Sequence, residues 1–181
     1  MILLSEPRTH KWRQARLLPS GLADRIRNLG LLLTRPIECD DLLIVASQDC
    51  DICCESLEEE PNFEVLVARH IPDDLQDGNL SYGKHPRRLQ FRIKSADAEG
   101  LYESNMNEKL SLPRQFLIEA DEQPSSSLTE KDADVFRRWL GRRYYRSALP
   151  SEFNQRCEPA KSYISEKLKK KGLIITSMSF H

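Results

Sequence analysis

Apolar positions recur along the chain in different rhythms, and each rhythm predicts a different element. In 20–33, SGLADRIRNLGLLL, residues Leu22, Ile26 and Leu29 fall at i, i+4 and i+7. That spacing predicts a short amphipathic helix with Ser20 as N-cap, ended by Arg35-Pro36. The run 42–46 (LLIVA) is apolar and of strand length, which predicts a strand buried on both faces. A second strand is predicted at 63–68 (FEVLVA), with Pro61 kept outside its interior. In 88–94 (RLQFRIK) the alternation turns Leu89, Phe91 and Ile93 inward, and Arg88, Gln90, Arg92 and Lys94 toward water or a ligand. Residues 101–118 predict one or two further strands broken at Pro113, and 71–84, rich in Asp, Gly, Pro and Asn, an irregular connection.

Beyond the polar stretch DEQPSSS the rhythm becomes helical. Thr129 and Asp132 form a capping-box variant, and Ala133, Phe136, Trp139, Leu140 and Tyr144 make one apolar stripe before Pro150. A second helix is predicted over 159–171 with Gly172 at its C-terminus, then a last strand at 173–180. The fold class expected is α+β: a mostly antiparallel sheet, barrel-like and SH3-like in its closed form, with C-terminal helices packed on it. The organisation expected is a strand-rich core over 1–120, a linker at 121–128 and a helical part at 129–181 in the same domain.

With 181 residues, 39 % hydrophobic, 30 % charged and a mean hydropathy of −0.56, the chain reads as a globular protein of one domain. It has no apolar run of the roughly 18–20 residues that span a bilayer, and MILLSEPRTHKWR lacks the apolar region of a signal peptide. Five cysteines, an odd number, then point to reduced thiols and a cytoplasmic location. A secreted disulfide scaffold, a membrane protein and a disordered tail are the classes excluded. The net charge of −1 hides an asymmetry. Residues 38–60 hold nine acidic side chains and no basic one, whereas 135–171 hold eleven basic and three acidic. Such a layout offers a positive face to anions on a protein that is acidic overall.

The densest chemistry is Ser47-Gln48-Asp49-Cys50-Asp51-Ile52-Cys53-Cys54, which follows the buried strand. Three readings apply. Cys50-x-x-Cys53 has the spacing of half a zinc site, with Cys39, Cys54, His70 and His85 as further ligands, but no second such pair exists in the chain. Cys50 as a nucleophile needs a neighbouring cation, whereas Asp49 and Asp51 disfavour the thiolate. Cys50 as a small buried side chain leaves Asp49 and Asp51 together on the opposite face of an extended segment. A nuclease-like Mg²⁺ site on Asp49, Asp51 and Glu64 lacks its lysine, because position 66 is Leu, unless Lys84 or Lys94 replaces it. No cofactor is expected beyond these Mg²⁺ and Zn²⁺ alternatives.

On the 132–147 helix, Arg138, Arg142 and Arg146 fall on one line opposite the apolar stripe, beside Tyr145, as in a phosphate-binding row. Arg143 falls inside the stripe, where an unpaired guanidinium is costly, so it is expected to meet Asp49, Asp51 or Glu64, or an anionic ligand. Arg87 and Arg88 add charge at the entry to the alternating strand.

The segments HKWRQ, SQDCDI, HPRRLQF and WLGRRYYRSALPSEFNQR together resemble a family of uncharacterised bacterial proteins of about this length. The resemblance implies that Ser47, Gln48, Asp49, Cys50, Asp51, Arg87, Arg143, Tyr144, Arg146 and Arg156 belong to the family pattern, and that such proteins sit in mobile-element or anti-phage gene clusters. Three functions are expected in turn. The first is a nucleic-acid- or phosphate-binding accessory protein with an arginine-lined pocket opposite the SQDCDI turn. The second is a metal-dependent or cysteine hydrolase built on Asp49, Cys50 and Asp51. The third is a protein–protein module docking through 38–60.

Overall fold

Four strands, β1 (Leu42–Val45), β2 (Asn62–Ile71), β3 (Arg88–Lys94) and β4 (Glu99–Pro113), pair antiparallel in the order β1-β2-β4-β3. The sheet curls into a half-barrel, as the α+β, barrel-like expectation requires. The computed structural model describes residues 11–31, 33–94, 98–124, 128–142, 156–163 and 166–167. Among them are the helices α1 (Ser20–Arg27), α2 (Asp49–Ile52), α3 (Gly78–Ser81), α4 (Gln115–Glu119) and α5 (Glu130–Arg142).

Both faces of the sheet are covered, which is why 42–46 is apolar without alternation. One face packs Leu43, Val45, Phe63, Val65 and Val67 against Leu22, Ala23 and Ile26 of α1 and against Trp12. The other packs Ile44, Leu66, Leu89, Phe91 and Ile93 against Ala133, Phe136, Trp139 and Leu140 of α5, the predicted stripe. Segment 11–18 lies along β1, with Ala15 N–H donating to Val45 O and Leu18 N–H to Leu43 O, so this edge of the sheet is not bare. Between Leu66 and Ala68 the β2–β4 register jumps from Lys109 to Ser104. Tyr102 and Met106 of β4 therefore face α5, whereas Leu110 and Leu112 face α1.

Several expectations need correction. Pro19, not Ser20, holds the N-cap position of α1, and the helix stops at Arg27 rather than running to 33. Gly30 at φ +62 ends that turn, leaving Leu29 exposed. Residues 99–113 form one long strand, and the chain turns helical only after Pro113. The connection at 71–84 contains a 3₁₀ turn (Asp73–Leu75) and α3, which cover the outer face of β3. Gln90 is therefore buried and not outward: its amide accepts from Asp77 N–H and donates to Leu75 O and Glu103.

One buried ionic group ties the sheet to the loop before β1. Arg69 on β2 lies between Asp41 and Glu108 and also donates to the carbonyls of Arg35 and Pro36. Thr34 donates to Glu108 as well.

The chain divides into two units, Met1–Tyr144 and Tyr145–His181. In the second, the described residues include a 3₁₀ turn, Glu158–Ala160, with Lys161 paired to Glu158. The predicted strand at 173–180 lies outside the described residues. Among the described residues no helix is long and apolar enough to cross a membrane.

Candidate functional site

The SQDCDI segment is not extended: Asp49–Ile52 is a single helical turn, α2, with Gln48 at its N-cap position. Asp49 and Asp51 therefore do not share a strand face. Cys50 is exposed and not a buried small side chain. Three polar contacts shape the turn. Gln14 N–H donates to Asp49 Oδ1 at 2.7 Å, with Arg13 Nε 3.6 Å from Oδ2. Ser47, itself buried, accepts from Glu64 N–H at 2.7 Å. Arg114, 1 % exposed, donates to the carbonyls of Asp51 and Ser56 at 2.7 and 3.0 Å.

A buried guanidinium does meet the SQDCDI segment, but it comes from Arg114, just after β4, which no pattern in the sequence singles out. Arg143, Arg146, Tyr144 and Tyr145 lie outside the described residues.

Cys50 Sγ–H donates to Asp51 Oδ1 at 3.2 Å. That hydrogen bond, with some desolvation and the charge of Asp51, pushes the thiol above its ordinary value. The thiolate is the nucleophile, so Cys50 is poorly poised for attack at neutral pH. Iodoacetamide is expected to label Cys50 slowly at pH 7, and faster in Asp51→Asn, by peptide mapping. Fast labelling that Asp51→Asn leaves unchanged would contradict this environment.

A cleft of about 730 Å³ opens between α2, the polar ends of β2 and β4, and the last turns of α5. Its cations are Lys109 and Arg137, and its carboxylates include Asp49, Asp51 and Glu64. Glu64 pairs with Lys109 at 2.5 Å, across the strand from Leu66. The lysine beside Glu64 is thus Lys109, neither Lys84 nor Lys94. Among the described residues no three His, Cys, Asp or Glu side chains gather as a metal-holding group.

The expected arginine-lined pocket is divided. Arg137, Leu140 and Gly141 of α5 face the cleft, whereas Arg138 and Arg142 lie roughly 100–140° further round the helix from Arg137. On that flank α5 meets the turn at 82–88. Arg142 Nη1 donates to Gly83 O at 3.3 Å, and Trp139 Nε1 donates to His85 O at 2.9 Å. Gly83 has φ +63, and a Cβ there would lie 3.2 Å from Val135, so the turn is pressed onto the helix. His85 Nδ1 accepts the backbone N–H of both Arg87 and Arg88.

The result is a flank where exposed Arg138 and Arg142 of α5 meet the turn that carries exposed Lys84 and Arg87, whereas Arg88 alternates with Leu89 onto the other side of β3, beside Gln90. Arg88 is held by Glu103 through two bonds of 2.7 Å, and Arg138 Nε donates to the carbonyl of Asp134. Among the described residues no carboxylate lies within ion-pair distance of Lys84, Arg87, Arg138 or Arg142. Arg142 thus lies beside the turn that carries Arg87, on a flank of α5 other than the one Arg137 turns to the cleft. Comparison with known proteins adds no name to this face: no family model, curated protein or solved structure matches the chain.

Proposed function

We propose that the protein binds the phosphates of a nucleic acid through the face built by 82–88 and α5. What supports this most is the contact between two basic segments distant in sequence, with Lys84, Arg87, Arg138 and Arg142 exposed and no carboxylate paired with them among the described residues. Guanidinium and ammonium groups in such an array exchange condensed counterions for phosphates, which drives binding and makes it depend on salt. An accessory role in a bacterial defence or mobile-element system rests on the family resemblance alone, and a pull-down from a bacterial host tests it.

The binding itself is tested by fluorescence anisotropy with labelled oligonucleotides across a salt series. Engagement of the four cations gives a slope of log K against log[salt] of about −3 for a single strand. Negligible binding at low salt, or a flat response, overturns the proposal.

A further inference from the structure

We infer that this face prefers single-stranded nucleic acid, stacking an unpaired base on Tyr82 while Lys84, Arg87 and Arg142 hold neighbouring phosphates; the inference rests on the function proposed above and narrows it. Tyr82 is 61 % exposed, among the most exposed large side chains described, although a tyrosine ring usually hides most of its apolar surface. It stands where the turn meets α5. Lys131 Nζ of α5 lies 5.9 Å from its ring centroid, and Lys84 and Arg87 follow it in the same turn.

The backbone that carries the ring is also held in place. Tyr82 N–H donates to Gly78 O and closes α3. The next residue, Gly83, is pinned by its left-handed backbone against Val135 and Trp139 and by the bond from Arg142. With the backbone fixed on both sides, only the two side-chain torsions of Tyr82 are left to order when a base lands on it.

The choice of single strand follows from geometry. In a duplex each base is stacked on both faces by its neighbours, so an exposed ring reaches only groove edges and backbone. An unpaired base offers its whole face. Aromatic stacking beside cations that track the backbone is how single strands are bound without sequence readout. Because every base has a face and the phosphates are common to both, DNA and RNA single strands are expected to bind alike.

The experiment measures the full chain by anisotropy against a 15-nucleotide oligo(dT), a 15-nucleotide oligo(rU) and a 15-base-pair DNA duplex at one moderate salt concentration. Wild type is expected to favour both single strands over the duplex by about fivefold to a hundredfold. Tyr82→Ala should bring that ratio close to one, and Tyr82→Trp should restore it, with thermal melts confirming that both variants are folded. Equal wild-type affinity for single strands and duplex, or a preference that survives Tyr82→Ala, overturns the inference while leaving phosphate binding in place. Absence of salt-dependent binding to all three oligomers overturns the underlying function, and this inference with it.

Discussion

Replacing Arg69 by methionine is expected to lower folding stability by about 3–5 kcal/mol at pH 7, as is usual when one member of a buried ionic group is removed. Arg69, Asp41 and Glu108 are all under one-tenth exposed. Arg69 Nη1 lies 2.5 Å from Asp41 Oδ2, and Nε and Nη2 lie 3.1 and 2.8 Å from the two oxygens of Glu108. Methionine fills a similar volume, so most of the loss comes from two carboxylates left buried without their cation, not from a cavity. Burial alone pushes Glu108 upward, but hydrogen bonds from Arg69 and Thr34 and the attraction of Arg69 outweigh it, and the net shift is downward. A carboxylate lowered on folding stabilises the fold above its unfolded value, about 4.3, and that contribution is lost as pH falls through the lower folded value. In Arg69→Met the upward push of burial on Glu108 is no longer offset by Arg69, so Glu108 relieves it by taking up a proton. The deficit against wild type should therefore shrink as pH is lowered from 7 toward 4, read from urea melts. A loss under about 1 kcal/mol, or one that does not change with pH, contradicts the assigned role of this group.

The double variant Arg87→Glu/Arg142→Glu is expected to weaken binding to a single-stranded oligonucleotide about a hundredfold or more at low salt. Each change removes a phosphate contact, which lowers the salt slope by about 0.7, and adds a repelling charge. Both side chains are exposed, and Arg142 contributes one 3.3 Å hydrogen bond to the fold, so stability should fall little. Arg137→Glu is the control. It makes a charge change of the same kind on the same helix but faces the cleft. If the 82–88 face carries binding, Arg137→Glu should cost only a fewfold effect through overall charge. Comparable losses from the two flanks would mean that net charge, and not this face, attracts the ligand.

Elements governed by local rules could be read from sequence. The alternation of RLQFRIK places β3 at Arg88–Lys94. Thr129 Oγ1 accepts from Asp132 N–H and donates to its carboxylate, so the capping residues mark the start of α5. Elements governed by distant partners could not. Residues 49–52 have no apolar period of their own; the turn is held by Arg114, 63 residues away from Asp51. Alternation sends Gln90 outward, yet the 71–84 connection folds over it and supplies backbone partners. The buried ionic group did leave a signal. Arg69 is in phase with Phe63, Val65 and Val67, so the alternation of β2 turns an arginine inward. What no pattern showed was that Glu108, 39 residues further on, would meet it. The candidate site is legible in the same uneven way. Arg87, Arg138 and Arg142 stand out by type and spacing, but the meeting of their two segments depends on Gly83 and His85 docking on α5.

Whether the two basic segments act as one binding face is read from amide chemical-shift mapping of the ¹⁵N-labelled protein during titration with a short single-stranded oligonucleotide. Amides of 82–88 and 138–142 are expected to move together along one binding curve, while those of 48–51 beside the cleft stay in place. Shifts confined to 48–51 and the cleft, or shifts in only one of the two basic segments, would contradict a single binding face.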